Sequence, residues 1–157
     1  MAKIPLVLVP GLLCDNDLWR PQIEGLSDIA EISVGDTRQD TSISGMAERI
    51  LKVSPDHFAL AGLSMGGYVC MEIMCQAPER VERLALLDTT GRADSAHQNK
   101  RRKGLIELAT IGKFKGVTPR LMPSLIHVGR QNDTVLTSYI VDMASRVGQQ
   151  GFLRQQT

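Results

Sequence analysis

Apolar runs and helix-period stretches alternate along the first part of the chain. "IPLVLVPG", from Ile4, is continuously apolar until a Pro-Gly turn, the pattern of a strand buried on both faces of a parallel sheet. "DNDLWRPQIEGL" then places Leu18, Trp19, Ile23 and Leu26 at near-helical spacing, with Asp15 to Asp17 as capping candidates. A weaker strand, "IAEISVGD", follows. After Ser42, a good N-cap, Ile43, Met46, Ala47, Ile50 and Leu51 form one stripe of an amphipathic helix. "HFALAG" and "VERLALLD" are further strands, separated by "MGGYVCMEIMCQA", which is long enough for a helix and is stopped by Pro78. Strand and helix in this rhythm predict right-handed crossovers and a parallel α/β sheet.

Beyond Asp88 the pattern is helical throughout. Residues 95–111 form one predicted helix, and Thr118-Pro119 has the form of a helix start, with threonine capping and proline in the first turn. "DTVLTSYIVDMASRVG" repeats Leu136, Tyr139, Ile140, Met143 and Val147 and stops at Gly148; "QQGFLRQQT" begins another helix. The strand "RLALLD" ends the predicted sheet. If nothing pairs with it, it is an apolar edge that invites self-association.

Composition excludes several classes of function. The 157 residues carry a net charge of +1, which gives no reason to expect nucleic acid or an anionic membrane as partner. No apolar run approaches the roughly 20 residues that span a bilayer. The N-terminal run reads as a strand rather than a signal peptide, because no small-residue cleavage site follows it. Cys14, Cys70 and Cys75 are odd in number and lack metal-ligand spacing, so reduced thiols in a cytoplasmic protein are expected. "PGLLCD" after the first strand lacks the glycine pattern of a dinucleotide site. The basic cluster from Lys100 to Lys103 reads as a solvated helix face. Met71 and Met74 read as core packing on the helix after Ser64.

The distinctive chemistry lies at Gly62-Leu63-Ser64-Met65-Gly66. This is G-x-S-x-G set between an apolar strand and a helix. A chain reversing that sharply leaves the serine strained with its Oγ exposed, and glycines remove the Cβ atoms that would clash. The helix that follows offers free N–H groups and a positive dipole end to charge developing near Ser64.

"LVLVPGLLCDNDLW", "FALAGLSMGGYVCMEIM" and "APERVERLALLDTT" resemble the α/β-hydrolase superfamily of cofactor-independent serine hydrolases, which includes carboxylesterases, enol-lactonases and cofactor-free haloperoxidases. The resemblance is strong up to Thr90 and general beyond. It implies a three-layer core in residues 1–92, a helical lid in 93–157, no cofactor, and a small ester, thioester or lactone as substrate. It makes Ser64 the nucleophile, with the backbone N–H groups of Leu12 and Met65 as the oxyanion hole. Where the superfamily often has His-Gly, this chain has Pro10-Gly11. The resemblance also places the triad acid and histidine on later core strands, which these residues are expected to lack.

No residue present is an obvious substitute. Some superfamily members carry the acid where Asp88 stands, but it reads first as a carboxylate capping the turn in "LDTTGR". His57 precedes the strand leading to Ser64 and belongs at the opposite end of the sheet. His97 and His127 fall in the lid. Cys14 lies two residues past Leu12, as a packed and inert thiol. An idle elbow in a non-catalytic binding protein is therefore the alternative to a working hydrolase.

Overall fold

The computed structural model describes residues 2–156. Strands β1 (Ile4–Val9), β2 (Ala30–Val34), β3 (Phe58–Leu63) and β4 (Val81–Leu87) form a wholly parallel sheet in the order β2-β1-β3-β4. Helices α1 (Arg20–Leu26), α2 (Ile43–Val53) and α3 (Met65–Gln76) make the crossovers.

The continuous apolar character of β1 has a direct cause, since both faces of the strand are covered. Val7 and Val9 pack with Met46, Ala47 and Ile50 of α2 and with Val69, Cys70 and Ile73 of α3. On the other face Leu8 packs with Trp19 and Ala61, joined by the partly buried Leu6 and Ile23. Strand β3 alternates in the same way, with Phe58 and Leu60 towards α2 and α3 and Ala61 and Leu63 towards Trp19. Ser42 caps α2 as its sequence predicts, accepting the Gly45 N–H at 3.0 Å.

Strand β4 differs. It pairs with β3 from Phe58↔Val81 to Leu63↔Leu87, yet Leu84, Leu86 and Leu87 remain 40–44% exposed. Leu86 and Leu87 point to opposite faces, so beyond Val81, which packs against the core, both faces of β4 lie open among the described residues, and its outer edge has no partner strand.

The helical segment departs from its sequence pattern in detail. Ser95 caps α4 (Ala96–Leu108) in a capping box with Gln98, and the chain then breaks through Gly112 at φ 76°. Thr118 makes no side-chain cap; a 3-10 turn at Pro119–Leu121 leads only into the short α5 (Met122–Leu125). Pro119 and Pro123, four positions apart, deny this stretch the N–H donors of a longer helix. Helix α6 (Thr134–Gln156) is interrupted at Gly148, φ 68°, where the sequence predicts one helix ending and another beginning. Of the basic cluster, Arg102 is not merely solvated: it pairs with Asp94 and donates to Gln156.

Candidate active site

At the C-terminal end of β3 the chain turns into α3 through Ser64, at φ 52° and ψ −113°. This conformation is strained for any residue with a Cβ and persists only where the surroundings hold it. Three hydrogen bonds do so. The Ser64 N–H donates to the Leu87 carbonyl at 2.9 Å, and the Ser64 carbonyl accepts from the Gly67 N–H at 2.9 Å and from the Thr89 hydroxyl at 2.8 Å. Two of these partners flank Asp88, so the end of β4 grips the Ser64 peptide groups from both sides.

The glycines are required by contact. A Cβ on Gly62 would stand 2.4 Å from the Gly66 carbonyl oxygen, and one on Gly66 only 2.2 Å from the Val9 oxygen. On Gly67 a Cβ would meet the Thr89 side chain at 2.5 Å. The first turn of α3 is thus pressed against the end of β1, which brings the loop after β1 beside the serine. A Cβ on Gly11 would lie 3.7 Å from the Ser64 Cβ.

Ser64 is exposed, and its hydroxyl makes no hydrogen bond among the described residues. The N–H groups of Leu12 and Met65, the sequence-predicted oxyanion donors, likewise have no protein acceptor among them. Met65 opens α3, where the helix dipole favours negative charge. Cys14 donates from its thiol to the Leu12 carbonyl at 3.4 Å. Burial, with Asp15 adding to it, pushes that thiol up to about 11, so it stays protonated and inert near neutral pH.

The remaining candidates are not gathered here. Asp88 is exposed at φ 42° and caps nothing; Thr90 closes that turn by accepting the Arg92 N–H at 3.2 Å. His57 immediately precedes β3, at the sheet end away from Ser64, and His97 is exposed on α4. His127 caps its own turn, its Nδ1 accepting the Gly129 N–H at 3.2 Å. None of the three histidines hydrogen-bonds Ser64. The broad hollows of about 580 and 630 Å³ both lie along α4 and touch neither Ser64 nor Leu12. Among the described residues no cluster of three metal-ligating side chains occurs, and no helix is long and apolar enough to cross a membrane.

Sequence reasoning named Ser64, its glycines and the N–H groups of Leu12 and Met65, but not Thr89 or the Leu87 carbonyl. A hydroxyl two residues past the end of the neighbouring strand was the only available signal for Thr89.

No family model matches the chain. It is 32% identical over 94 residues to a pimeloyl-(acyl-carrier protein) methyl ester esterase of Legionella pneumophila, covering 57% of this chain and 39% of that protein. RutD of Agrobacterium fabrum, provisionally named a carbamate hydrolase, is 30% identical over 108 residues, covering 59% of this chain and 41% of RutD. A thermophilic esterase from Thermogutta terrifontis superposes with a TM-score of 0.82 at 24% identity, over 98% of this chain and 62% of that one. The enol-lactonase from Burkholderia xenovorans superposes at 0.78 with 20% identity, over 99% and 64%. The matches thus span about two fifths of the curated relatives. The chain has the α/β-hydrolase fold, and sequence and structure relatives alike point to that superfamily.

Proposed function

We propose that Ser64 is the nucleophile of acyl transfer from a small ester, thioester or lactone, with the Leu12 and Met65 N–H groups receiving the oxyanion. The observation that carries this reading is the strained, exposed Ser64 gripped by Leu87 and Thr89 between two unspent backbone donors. Its Oγ attacks the carbonyl carbon and its proton passes to a base. The bond to the leaving oxygen or sulfur breaks as that atom takes the proton, and water then cleaves the acyl-serine. The esterase among the relatives supports an ester substrate, and RutD makes a carbamate the nearest variant. Apolar lid residues such as Leu121 and Leu125, both exposed, would favour a partly apolar acyl or alcohol group. The three unpaired cysteines fit a reducing cytoplasmic setting.

A second reading has its own observation: no histidine reaches Ser64, and a serine hydroxyl without a base is a poor nucleophile near neutral pH. In that case the elbow is idle and the chain binds a small molecule or a partner. Labelling with a fluorophosphonate probe, with the adduct mapped by mass spectrometry, separates the two. A stoichiometric adduct on Ser64, absent in Ser64→Ala, would carry the acyl-transfer reading. A folded protein that takes no label would leave only the binding reading.

The open edge of β4 supports self-association as a further part of this proposal. Sedimentation at micromolar concentration should show dimers or larger species, and Leu86→Lys should return monomer. A clean wild-type monomer removes the idea.

A further inference from the structure

Near the end of α6, Gln155 is only 4% exposed and is joined to two loops that belong to the sheet. Its Oε1 accepts the Leu13 N–H at 3.0 Å, and its Nε2 donates to the Thr37 hydroxyl at 3.0 Å. A buried primary amide is costly unless paired, and here both of its ends are used. Leu13 is itself strained, at φ 58°, so its place in the loop after β1 has to be imposed by its surroundings. Packing supplies part of that constraint, through Ala144, Val147 and Phe152 of α6 against Leu13, with Leu12 partly buried beside them.

The bond from Leu13 has a consequence one atom group away. The Leu13 N–H and the Leu12 carbonyl belong to one peptide plane, which is planar and nearly rigid. Gln155 holds one side of that plane and the Cys14 thiol the other. The Leu12 N–H shares its own peptide plane with the Gly11 carbonyl, which accepts the Cys14 N–H at 3.1 Å, so both planes that meet at the Leu12 Cα are held, one by this turn and the other by Gln155 and the Cys14 thiol. Preorganised donors act in catalysis because they need no reorientation as charge develops.

We propose that Gln155 is a positioning residue that sets the direction of the Leu12 N–H, so that the last helix completes the oxyanion site as well as covering it. This rests on the acyl-transfer reading for its catalytic meaning, but the positioning is measurable without it. The protein labelled with 15N is compared with Gln155→Met, which keeps the length and removes both polar ends, and with Gln155→Glu, which keeps an acceptor for Leu13. Three readings are taken: amide exchange at Leu13, the residual dipolar coupling of the Leu12 N–H, and the rate of fluorophosphonate labelling at Ser64.

In Gln155→Met, Leu13 exchange should rise about tenfold or more while β1 and β3 amides stay as they were. The Leu12 coupling should change, and labelling should slow about tenfold or more, less than the loss of a whole oxyanion donor. Gln155→Glu should restore all three. If Gln155→Met does not fold, Gln155→Asn, one methylene shorter, takes the same readings. An unchanged Leu12 coupling alongside faster Leu13 exchange overturns the proposal, as does full labelling speed with a displaced Leu12. A wild-type protein that takes no label but whose Leu12 coupling shifts in Gln155→Met removes the acyl-transfer reading and supports the positioning.

Discussion

The serine turn and the last helix are both held against the end of β1, but by different means. Ser64 is fixed by backbone, through the Leu87 carbonyl, the Gly67 N–H and glycines that let α3 close on β3, Val9 and Thr89, with the Thr89 hydroxyl as its one side-chain partner among the described residues. Helix α6 is fixed by side chains reaching across more than a hundred residues of sequence. Gln155 reaches Leu13 and Thr37, Arg154 the Arg38 carbonyl, Tyr139 the Asp17 carbonyl, and Arg146 both Asp15 and Asp17. A frame made of backbone contacts tolerates almost no change in shape. A frame made of separate polar pairs around a small apolar cluster can lose one pair and keep the rest.

Glycine substitutions should show that contrast at its largest. In Gly66→Ala the new methyl would meet the Val9 backbone oxygen at 2.2 Å, and neither partner is a side chain that can turn away. Urea denaturation should give a loss of about 3 kcal/mol or more, the upper range for overpacking, together with loss of labelling at Ser64. Gly148→Ala is the counterpart in α6. Nothing lies within 4 Å of its Cβ position, so only the backbone resists the change, at φ 68° and ψ −178°, a region essentially restricted to glycine. A cost of about 1–3 kcal/mol is expected, with Ser64 chemistry retained. Equal losses at the two positions would mean that the elbow has more slack than its contacts indicate.

The same division explains what the sequence made legible. Strands β1 and β3 could be read because burial on both faces leaves unbroken apolar runs, and Ser42 announced α2 because a cap acts within three residues. The elbow was legible through its local glycine spacing, since a Cβ on Gly62 would meet the Gly66 carbonyl within the turn, although Gly66 and Gly67 answer to Val9 and Thr89, distant in sequence. Beyond Asp88 local rules lose their grip. Thr118-Pro119 has the form of a helix start, yet Pro123 stops a helix begun there from running on, and a separate four-residue helix starts around it. Asp88 suggested a cap that Thr90 supplies instead. Gln155 sits in "LRQQT" with nothing to distinguish it from a solvated glutamine, because its partners are at Leu13 and Thr37. Arg102, inside a run of basic residues, shows its role only through Asp94 and Gln156.

The smallest effect should come from Arg146, whose guanidinium bonds Asp15 at 2.8 Å and also pairs with Asp17. Burial alone would raise the Asp15 carboxyl. The hydrogen bond from Arg146, the Asp17 N–H, and the charges of Arg146 and Arg38 outweigh it and hold the group below the ordinary carboxylate value. A carboxyl depressed in the folded state contributes stability above its unfolded value near ~3.9 and loses that contribution as pH falls through the folded value. Arg146 is nearly half exposed, so screening keeps the pairs weak, and Arg146→Ala should cost no more than about 1 kcal/mol at pH 7. The difference between the two proteins, read by urea denaturation across pH, should shrink as the pH is taken below the carboxylate range and Asp15 protonates. Raised salt at neutral pH should narrow it as well. A difference that persisted in acid and in salt would mean that Arg146 holds α6 through the packing of its aliphatic stem, and that even this part of the helix is fixed by shape.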